Sequence, residues 1–366
     1  AETAAGCAGG RAHAMSALEI DGATGSGSGM IVRQALAYAA VTGREIHLRH
    51  IRARRSRPGL RRQHVCAVQA VRALAGGTLD GASVGSRELT FRPAGDPLGG
   101  SYRFDVGTAG SATALSLALL PVLARATAPV RVELTGGLFQ DHAPSPFHLQ
   151  HVLAPLLGRM GLVVAVTPVR PGYVPAGGGV LRLDVLGAGS LEPLDAQEPG
   201  AVLSVWGVAL ASRLRERRVA PRMAEGARAV LARAGFDARI EEREDDSALQ
   251  PGAGMAVFAD LAAGHRIGAD AAGAPGRPAE TIGRTAAELL LEDLRTGAAL
   301  DRFASDQIIA FTALARGRSR ARLAAVSDHV RTAVWLANLF GLARAELSGT
   351  LLVVDGGGPA GRSPRR

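Results

Sequence analysis

The sequence of 366 residues is long enough for two domains and is 47% hydrophobic, so it can form a large buried core. Its net charge of +9 comes from arginine alone, and the absence of lysine excludes catalysis through a lysine Schiff base or a P-loop lysine. No apolar run is long enough to cross a bilayer, and two cysteines, Cys7 and Cys66, form no disulfide framework. We therefore expect a protein of the reducing cytoplasm that meets a polyanionic partner.

One pattern occurs three times between an unpatterned start and an unpatterned end. Residues 1–14 and 356–366 lack helical or strand periodicity, so we expect a disordered leader and a disordered tail. Each copy of the pattern consists of a helix, a strand, a loop, a second helix and further strands. The predicted first helices cover residues 29–42, 111–126 and 305–316, and the strands after them cover 45–50, 130–135 and 320–325.

Three histidines mark the predicted start of the second helix in each copy, namely His64, His151 and His329. Each is followed by apolar residues at the spacing of one buried helix face and then by a glycine that can end a helix. The interval between the second and third histidine is about twice the first, and the surplus falls on residues 187–279. An inserted domain explains this surplus better than a fourth, decayed repeat.

The predicted fold is therefore an α/β architecture of three repeated helix-strand-helix-strand units with a small inserted α/β domain. The repeats are expected to occupy residues 15–186 and 280–355, which together form one domain. Within the insertion, helical periodicity at residues 226–234 precedes two strand-like stretches.

A glycine-rich loop, residues 21–29, joins the first predicted strand to the first predicted helix. It is not a P-loop, because no lysine follows, and Met30 stands where the dinucleotide-binding fingerprint requires its third glycine. It is not a serine-hydrolase elbow either, because Thr24 replaces the glycine two residues before Ser26. Two interpretations stay open: a flexible turn, or a turn whose backbone N–H groups face an anion.

Seven arginines lie in one short segment that contains a Pro-Gly turn and leads into the second helix. They are Arg49, Arg52, Arg54, Arg55, Arg57, Arg61 and Arg62. A basic face exposed to water is the ordinary explanation for such a cluster. Because the segment leads into a helix and arginine binds phosphate through paired hydrogen bonds, phosphate capture is the alternative.

His329 follows Ser327 and Asp328, either of which can cap the helix that begins there. The positive end of a helix favours the neutral imidazole, so the ring keeps a nucleophilic nitrogen, and the same N–H groups can hold a phosphate beside it. The competing interpretation is structural, because His64 and His151 occupy equivalent places in the other repeats.

In their order along residues 18–355, these features resemble the RNA 3′-terminal phosphate cyclase family. The matching segments are Asp21-Gly22-Ala23 with the glycine-rich loop and Arg33, the arginine segment 51–60 with Arg62-Gln63-His64, Gly107-Thr108-Ala109-Gly110-Ser111, Ala143-Pro144, residues 175–179, Ser305-Asp306-Gln307, and His329 with Thr332. The layout of three repeats and an insertion is also that family's architecture. No single motif is decisive, whereas their common order is.

The resemblance implies an enzyme that uses ATP to convert an RNA 3′-phosphate into a 2′,3′-cyclic phosphate. In that family a histidine attacks the α-phosphate of ATP, AMP passes to the phosphate at the RNA 3′ end, and the adjacent 2′-hydroxyl closes the ring. His329 matches the nucleophile. The implied ATP-site residues are Arg33, Arg52, Arg55 and Gln63 around the phosphates, Pro144 and Phe303 on the faces of adenine, and Asp306 and Gln307 as further polar contacts.

The chain departs from the family at three positions. Ser26 stands where the family carries a glutamate that helps to bind a divalent metal, and Met30 and Leu117 replace glutamines. We therefore expect a divalent metal, Mg²⁺ or Mn²⁺, but assign no residues to its site.

Two other classes of protein stay open as alternatives. A non-catalytic RNA-binding relative is favoured by Ser26 and Met30 and opposed by His329. An enolpyruvyl transferase relies on lysines that this chain lacks.

Overall fold

The computed structural model describes residues 17–141, 143–187 and 189–358. The expected disordered leader, residues 1–14, lies outside these ranges, as does the expected tail from residue 359 onward. The tail prediction is wrong for residues 356–357, because they pair in the last strand of a sheet. Within the described ranges, no helix combines the length and the apolar character that a membrane span requires.

The first two repeats are continuous in sequence. The first contains β1 (Leu18–Asp21), α1 (Gly29–Thr42), β2 (Ile46–Arg49), α2 (Arg62–Ala75), β3 (Thr78–Asp80) and β4 (Leu89–Arg92). The second contains β5 (Gly100–Asp105), α3 (Ala112–Leu123), β6 (Val130–Gly136), α4 (Pro146–His148), α5 (Ala154–Arg159), β7 (Val163–Arg170) and β8 (Gly179–Leu186). A π-helical turn, Leu149–Leu153, joins α4 to α5.

The third repeat is interrupted by the inserted domain. It starts with β9 (Asp195–Ala196). The inserted domain then supplies β10 (Val202–Ser212), α6 (Val219–Arg233), β11 (Ala238–Glu244), β12 (Gly252–Leu261), β13 (Arg266–Ala272) and α7 (Ala279–Arg295). The third repeat resumes with α8 (Ala304–Leu314), β14 (Arg316–Arg322), α9 (Asp328–Leu339), β15 (Ala343–Ser348) and β16 (Leu351–Gly357).

Each repeat forms a four-stranded sheet of the same topology. The strand orders are β1-β2-β4-β3, β5-β6-β8-β7 and β9-β14-β16-β15. In every sheet the first pair is parallel and the other two pairs are antiparallel. This shared order confirms the predicted α/β fold of three repeats with an inserted domain.

The insertion differs from the predicted range 187–279 at both ends. Strand β9, which we expected in the insertion, pairs in parallel with β14, so the insertion splits the third repeat. A strand of two residues has no periodicity that a sequence pattern can reveal. At the other end, α7 was expected at the start of the third repeat but packs against α6, β12 and β13. Its apolar face, which includes Ile282 and Leu290, belongs to the separate core of the inserted domain.

Helices of different repeats meet at the centre of the molecule. Helix α1 packs against α2, α3 and α9, and α8 packs against α3 and α9. Helix α1 is apolar for most of its length, which suits this buried place; Ser28 caps its first turn and Gly43, at φ 74°, ends it. The starts of α1, α8 and α9 therefore lie close together, although they are far apart in sequence.

The predicted equivalence of the three histidines fails for His151. His64 is the third residue of α2 and His329 the second residue of α9, but His151 lies inside the π-helical turn. The reason is that Ser145 caps the helix and Pro146 occupies its first position, so the helix begins earlier than the apolar pattern predicts.

Candidate active site

A central cavity of about 620 Å³ lies where the three repeats meet α7. Its size is within the range of small-molecule sites. The predicted residues that line it are Arg33, Pro144, Phe303, Asp306, Gln307 and His329. The structure thus brings six of the nine predicted site residues to one cavity, from α1, the loop before α4, α8 and its preceding turn, and the start of α9.

His329 stands at the start of α9 with its ring open to the cavity. Ser327 caps the helix by accepting a hydrogen bond from the Val330 N–H at 3.2 Å. The His329 side chain is 45% exposed, and its Nδ1 lies 3.4 Å from Oδ2 of Asp306 on α8. A carboxylate on the Nδ1 side orients the ring and leaves Nε2 as the nitrogen that can attack a ligand.

The glycine-rich loop docks onto the helix that carries His329. The Ser26 N–H donates to Oγ1 of Thr332 at 3.0 Å, and the same hydroxyl donates to the Asp328 carbonyl at 2.5 Å. Gly25, at φ 53°, lies so close to this hydroxyl that a Cβ there would clash with it. The Ser26 N–H is therefore used by the protein and is not available to an anion.

Arg33 brings a positive charge to the cavity wall on α1. It is half-buried, and burial lowers the pKa of its guanidinium while the Asp306 carboxylate opposes that shift. Gln34 and Gln307 also line the cavity. Within the described residues, the Oε1 atom of each is buried and accepts no hydrogen bond, which is unusual for a buried acceptor.

Pro144 and Phe303 provide apolar faces of the cavity. The Pro144 carbonyl accepts a hydrogen bond from Oγ1 of Thr113 at 2.8 Å, which fixes the loop before α4. Phe303 precedes the first residue of α8, and the ring of His148 meets it edge-on at 5.5 Å. The binding of adenine between Pro144 and Phe303 stays a prediction.

Arg52, Arg55 and Gln63 do not line the central cavity. Arg52 and Gln63 line a neighbouring groove of about 850 Å³, and Arg55 is exposed and lines neither space. Nη1 of Arg52 donates to the carbonyls of Arg57 and Gly59 at 2.7 and 2.8 Å, so this nitrogen holds the loop before α2. We call this space the arginine groove, after the side chains Arg52, Arg57, Arg61 and Arg62 that line it.

His64 lies near arginines of both the cavity and the arginine groove but lines neither, and its role is structural. It is buried, Nδ1 accepts from the Arg61 N–H at 3.0 Å, and Nε2 lies against Gly29 at the start of α1. Burial, and then the charges of nearby arginines, lower the pKa of His64 to about 3. These arginines are Arg33 in the cavity and Arg52 and Arg61 in the groove.

His151 has a different setting from both other histidines. Its ring meets those of Trp206 and Phe258 edge-on at 5.0 and 5.3 Å. Burial, and then the charge of Arg266, lowers its pKa to about 4. The structural role of His64 therefore does not extend to all three positions, and only His329 of the three lines the cavity.

Sequence reasoning missed two groups of cavity residues. Gln34 follows Arg33 in a helix that is otherwise mostly apolar, and that isolated polar pair was a usable signal. Arg302 donates to Asp293 at 2.9 Å and to Glu292 at 2.8 Å across the cavity edge. No sequence pattern pointed to Arg302 and its two carboxylate partners, because the sequence placed α7 in the third repeat and not in the inserted domain.

The expected divalent metal receives no site from the described residues. They contain no group of three or more His, Cys, Asp or Glu side chains that could hold one. The Ser26 hydroxyl, at the position of the family's glutamate, lies 3.0 Å from the hydroxyl of Ser28. The nearby Asp21 carboxylate accepts from the Ala23 N–H at 2.9 Å and lies 3.1 Å from His50.

Comparison with known proteins identifies the family of this chain. The model of the RNA 3′-terminal phosphate cyclase family matches residues 24–347. Proteins named RNA 3′-terminal phosphate cyclase include one from Hyperthermus butylicus, 44% identical over 82% of this chain and 85% of that protein. Another, from Methylococcus capsulatus, is 41% identical over 95% of this chain and 98% of that protein. The chain therefore belongs to the RNA 3′-terminal phosphate cyclase family.

A solved structure gives a more distant match. The enolpyruvyl transferase NikO from Streptomyces tendae is 14% identical, with a TM-score of 0.35, over 93% of this chain and 48% of that one.

Proposed function

We propose that this chain uses ATP to convert the 3′-phosphate of an RNA into a 2′,3′-cyclic phosphate, through AMP bound covalently to His329. The observation that carries the proposal is the placement of His329. Its ring opens into the central cavity beside Asp306, and the cavity also holds Arg33 and two apolar faces. Nucleophile, cation and stacking surfaces are the parts that nucleotidyl transfer needs.

In the first step, Nε2 of His329 bonds to the α-phosphorus of ATP as the bond to the β-phosphate oxygen breaks and pyrophosphate leaves. Asp306 holds Nδ1 and stabilises the positive ring that results. Arg33 stabilises negative charge on the phosphates as it develops. An oxygen of the RNA 3′-phosphate then takes the AMP and frees His329. The 2′-hydroxyl attacks the RNA phosphorus and releases AMP.

The arginine groove is the proposed binding surface for the RNA backbone. Within the described residues, no carboxylate lies within ion-pair distance of any arginine between positions 52 and 62, whereas Arg49 lies 3.3 Å from Glu19. Unpaired arginines are free to bind phosphates. The charges of Arg33 in the cavity and of Arg52 and Arg61 in the groove all act on His64, so the two spaces are near each other. An RNA end in the groove would therefore lie near the nucleotide in the cavity.

A divalent cation, Mg²⁺ or Mn²⁺, is part of the proposal through the phosphates of ATP. A hard cation bound mainly by phosphate oxygens needs few protein ligands. The serine at position 26 brings no charge to such a cation, so we expect a higher metal requirement than a glutamate there would give.

The test is to incubate the protein with ATP labelled at the α-phosphate and to look for a labelled adduct that is labile in acid and stable in alkali. His329→Ala should abolish the adduct, whereas His50→Ala, which changes an exposed histidine outside the cavity, should retain it. An adduct on His329→Ala would assign the nucleophile to another residue. No adduct on the unchanged chain would remove the proposed chemistry.

A second candidate is an RNA-binding member of the family without catalysis. The unpaired charge of the arginine groove favours it, because that surface can bind RNA with or without a nucleotide. RNA binding by the unchanged chain, without an adduct or a cyclised product at any Mg²⁺ or Mn²⁺ concentration, would select this candidate.

A further inference from the structure

Asp301 is a fully buried carboxylate behind the central cavity, and both of its oxygens are bonded. Oδ1 accepts from the N–H groups of Phe303 at 2.9 Å and Ala304 at 2.8 Å. Oδ2 accepts from the Gly268 N–H at 2.9 Å. Nε2 of His148 lies 3.1 Å from both oxygens. A buried carboxylate with this many donors is held in one orientation.

The four partners of Asp301 come from three units of the fold. His148 ends α4 in the second repeat, and Gly268 lies in β13 of the inserted domain. Phe303 and Ala304 form the start of α8 in the third repeat. One side chain therefore fixes the first turn of α8 against both other units, and that turn carries the cavity residues Phe303, Asp306 and Gln307.

His148 completes the arrangement from the other side. Its side chain is 0% exposed, and its ring meets the Phe303 ring edge-on, at 5.5 Å between centroids and 77° between planes. Burial alone would lower the pKa of His148, but the pKa is raised by the charge and hydrogen bond of Asp301 together with the charges of Asp270 and Asp306. The pKa of Asp301 is lowered against its own burial, first by the charge of His148. Asp301 and His148 together support the back of the Phe303 ring.

We propose that Asp301, together with His148, is a positioning residue for nucleotide binding, because it fixes the ring of Phe303 in the cavity wall. The inference rests on the proposed function, in which Phe303 stacks on the nucleotide base. Asp301 lines no part of the cavity, so it acts on the ligand only through α8 and His148. It also links the inserted domain to the nucleotide site.

Asp301→Asn is the substitution that tests this role with the least change in shape. Asparagine keeps one acceptor oxygen, which can still serve the two N–H groups of α8. Its NH₂ group must then face the N–H of Gly268, and the charge that pairs with His148 is lost. The tie between α8 and the inserted domain should loosen, and the Phe303 ring should lose its fixed position.

The experiment is a double-mutant cycle on the dissociation constant for ATP, measured by calorimetry in a His329→Ala background so that no adduct forms. Asp301→Asn should weaken ATP binding about tenfold while Phe303 is present, and less than about twofold when Phe303→Leu has removed the ring. Equal weakening in both backgrounds, or no weakening by a folded Asp301→Asn, would overturn the proposal. Absence of ATP binding before any substitution at Asp301 would instead overturn the proposed function on which it rests.

A matched control separates positioning from loss of stability. Asp96 forms a largely buried ion pair with Arg125 at 2.9 Å, and neither residue lines the cavity. Asp96→Asn should lower the melting temperature and leave the ATP dissociation constant unchanged. If Asp301→Asn does not fold, His148→Gln, which keeps a donor toward Asp301, takes its place in the cycle. Weaker ATP binding that depends on Phe303 supports the proposal, and unchanged binding overturns it.

Discussion

A histidine can act as a nucleophile only where a ring nitrogen is accessible and unprotonated. His64 satisfies the second condition and fails the first, because its ring is 3% exposed and its Nδ1 accepts from the Arg61 N–H. His329 has its ring in the cavity, with Asp306 on the Nδ1 side. His64 therefore supports the fold, whereas His329 is placed to react.

His64 should make the stability of the protein depend on pH. Its pKa falls from 6.5 to about 3 on folding, so below pH 6.5 the unfolded chain takes up a proton that the folded chain refuses. The contribution of the neutral His64 ring to the free energy of unfolding is constant above pH 6.5. It decreases by about 1.4 kcal/mol per pH unit as the pH falls from 6.5 toward 3. His64→Asn keeps an acceptor for Arg61 but cannot titrate.

The measurement is the free energy of unfolding of both forms by denaturant titration between pH 7.5 and 5. The unchanged chain should be the more stable one at neutral pH, and its advantage should shrink steadily below pH 6.5. A difference that stays constant with pH would mean that His64 takes up its proton as readily in the folded chain as in the unfolded chain.

The predicted residues of the cavity were found in two ways. The Ser327 cap placed His329 at a helix start, whereas Arg33 and Asp306 were assigned through the family resemblance. Arg52 and Arg55 lie on a loop, and nothing in the residues says that Arg52 turns back to bind its own backbone. The path of a loop depends on contacts with distant segments, which a single sequence does not reveal.

At the scale of elements, the decisive contact joins the glycine-rich loop of the first repeat to α9 of the third. Thr332 makes that contact through one hydroxyl, which donates to the Asp328 carbonyl and accepts from the Ser26 N–H. The Asp328 carbonyl lies one residue before the proposed nucleophile, His329. Thr332 therefore fixes the loop relative to His329 without touching the cavity.

Thr332→Val should slow the formation of the adduct. Valine has the shape of threonine but cannot accept from the Ser26 N–H, so a part-buried donor loses its partner and the loop shifts away from α9. We expect roughly a tenfold slower single-turnover rate at saturating ATP, because small misplacements of reacting groups are costly.

Thr332→Ser is the matched control, since it keeps the hydroxyl, and it should retain most of the rate. The readout is the time course of labelled adduct after rapid mixing with ATP. Equal rates for the valine and serine variants would show that the hydroxyl has no part in placing the loop.

Helices were easier to predict than the unit to which they belong. The predicted range 29–42 coincides with α1, because a serine cap, an apolar stretch and a final glycine all mark it. Helix α7 is strongly amphipathic, yet its partner surface is set by the inserted sheet and not by its neighbours in sequence. Periodicity identifies an element, whereas tertiary contacts decide where it packs.

At the scale of the whole molecule, the net charge of +9 is distributed unevenly. Within the described residues, the four arginines of the arginine groove form no ion pair, while many others pair with carboxylates, such as Arg222 with Glu280 at 2.6 Å. Long-range attraction depends on the total charge, but a bound RNA backbone responds to the charges that it contacts. The two contributions can be separated by substitutions that change the total charge equally.

Arg57→Gln and Arg62→Gln each remove one charge from the arginine groove, whereas Arg233→Gln removes one from the end of α6 on the inserted domain. Each groove variant should weaken RNA binding and reduce the slope of log K against log salt concentration by about one, since one phosphate contact fewer releases fewer counterions. Arg233→Gln should change neither quantity beyond the small effect of net charge. The measurement is RNA binding by fluorescence anisotropy at several salt concentrations, with an oligonucleotide that ends in a 3′-phosphate. If all three variants reduce the slope equally, RNA binds a diffuse basic surface, and the arginine groove loses its assigned role.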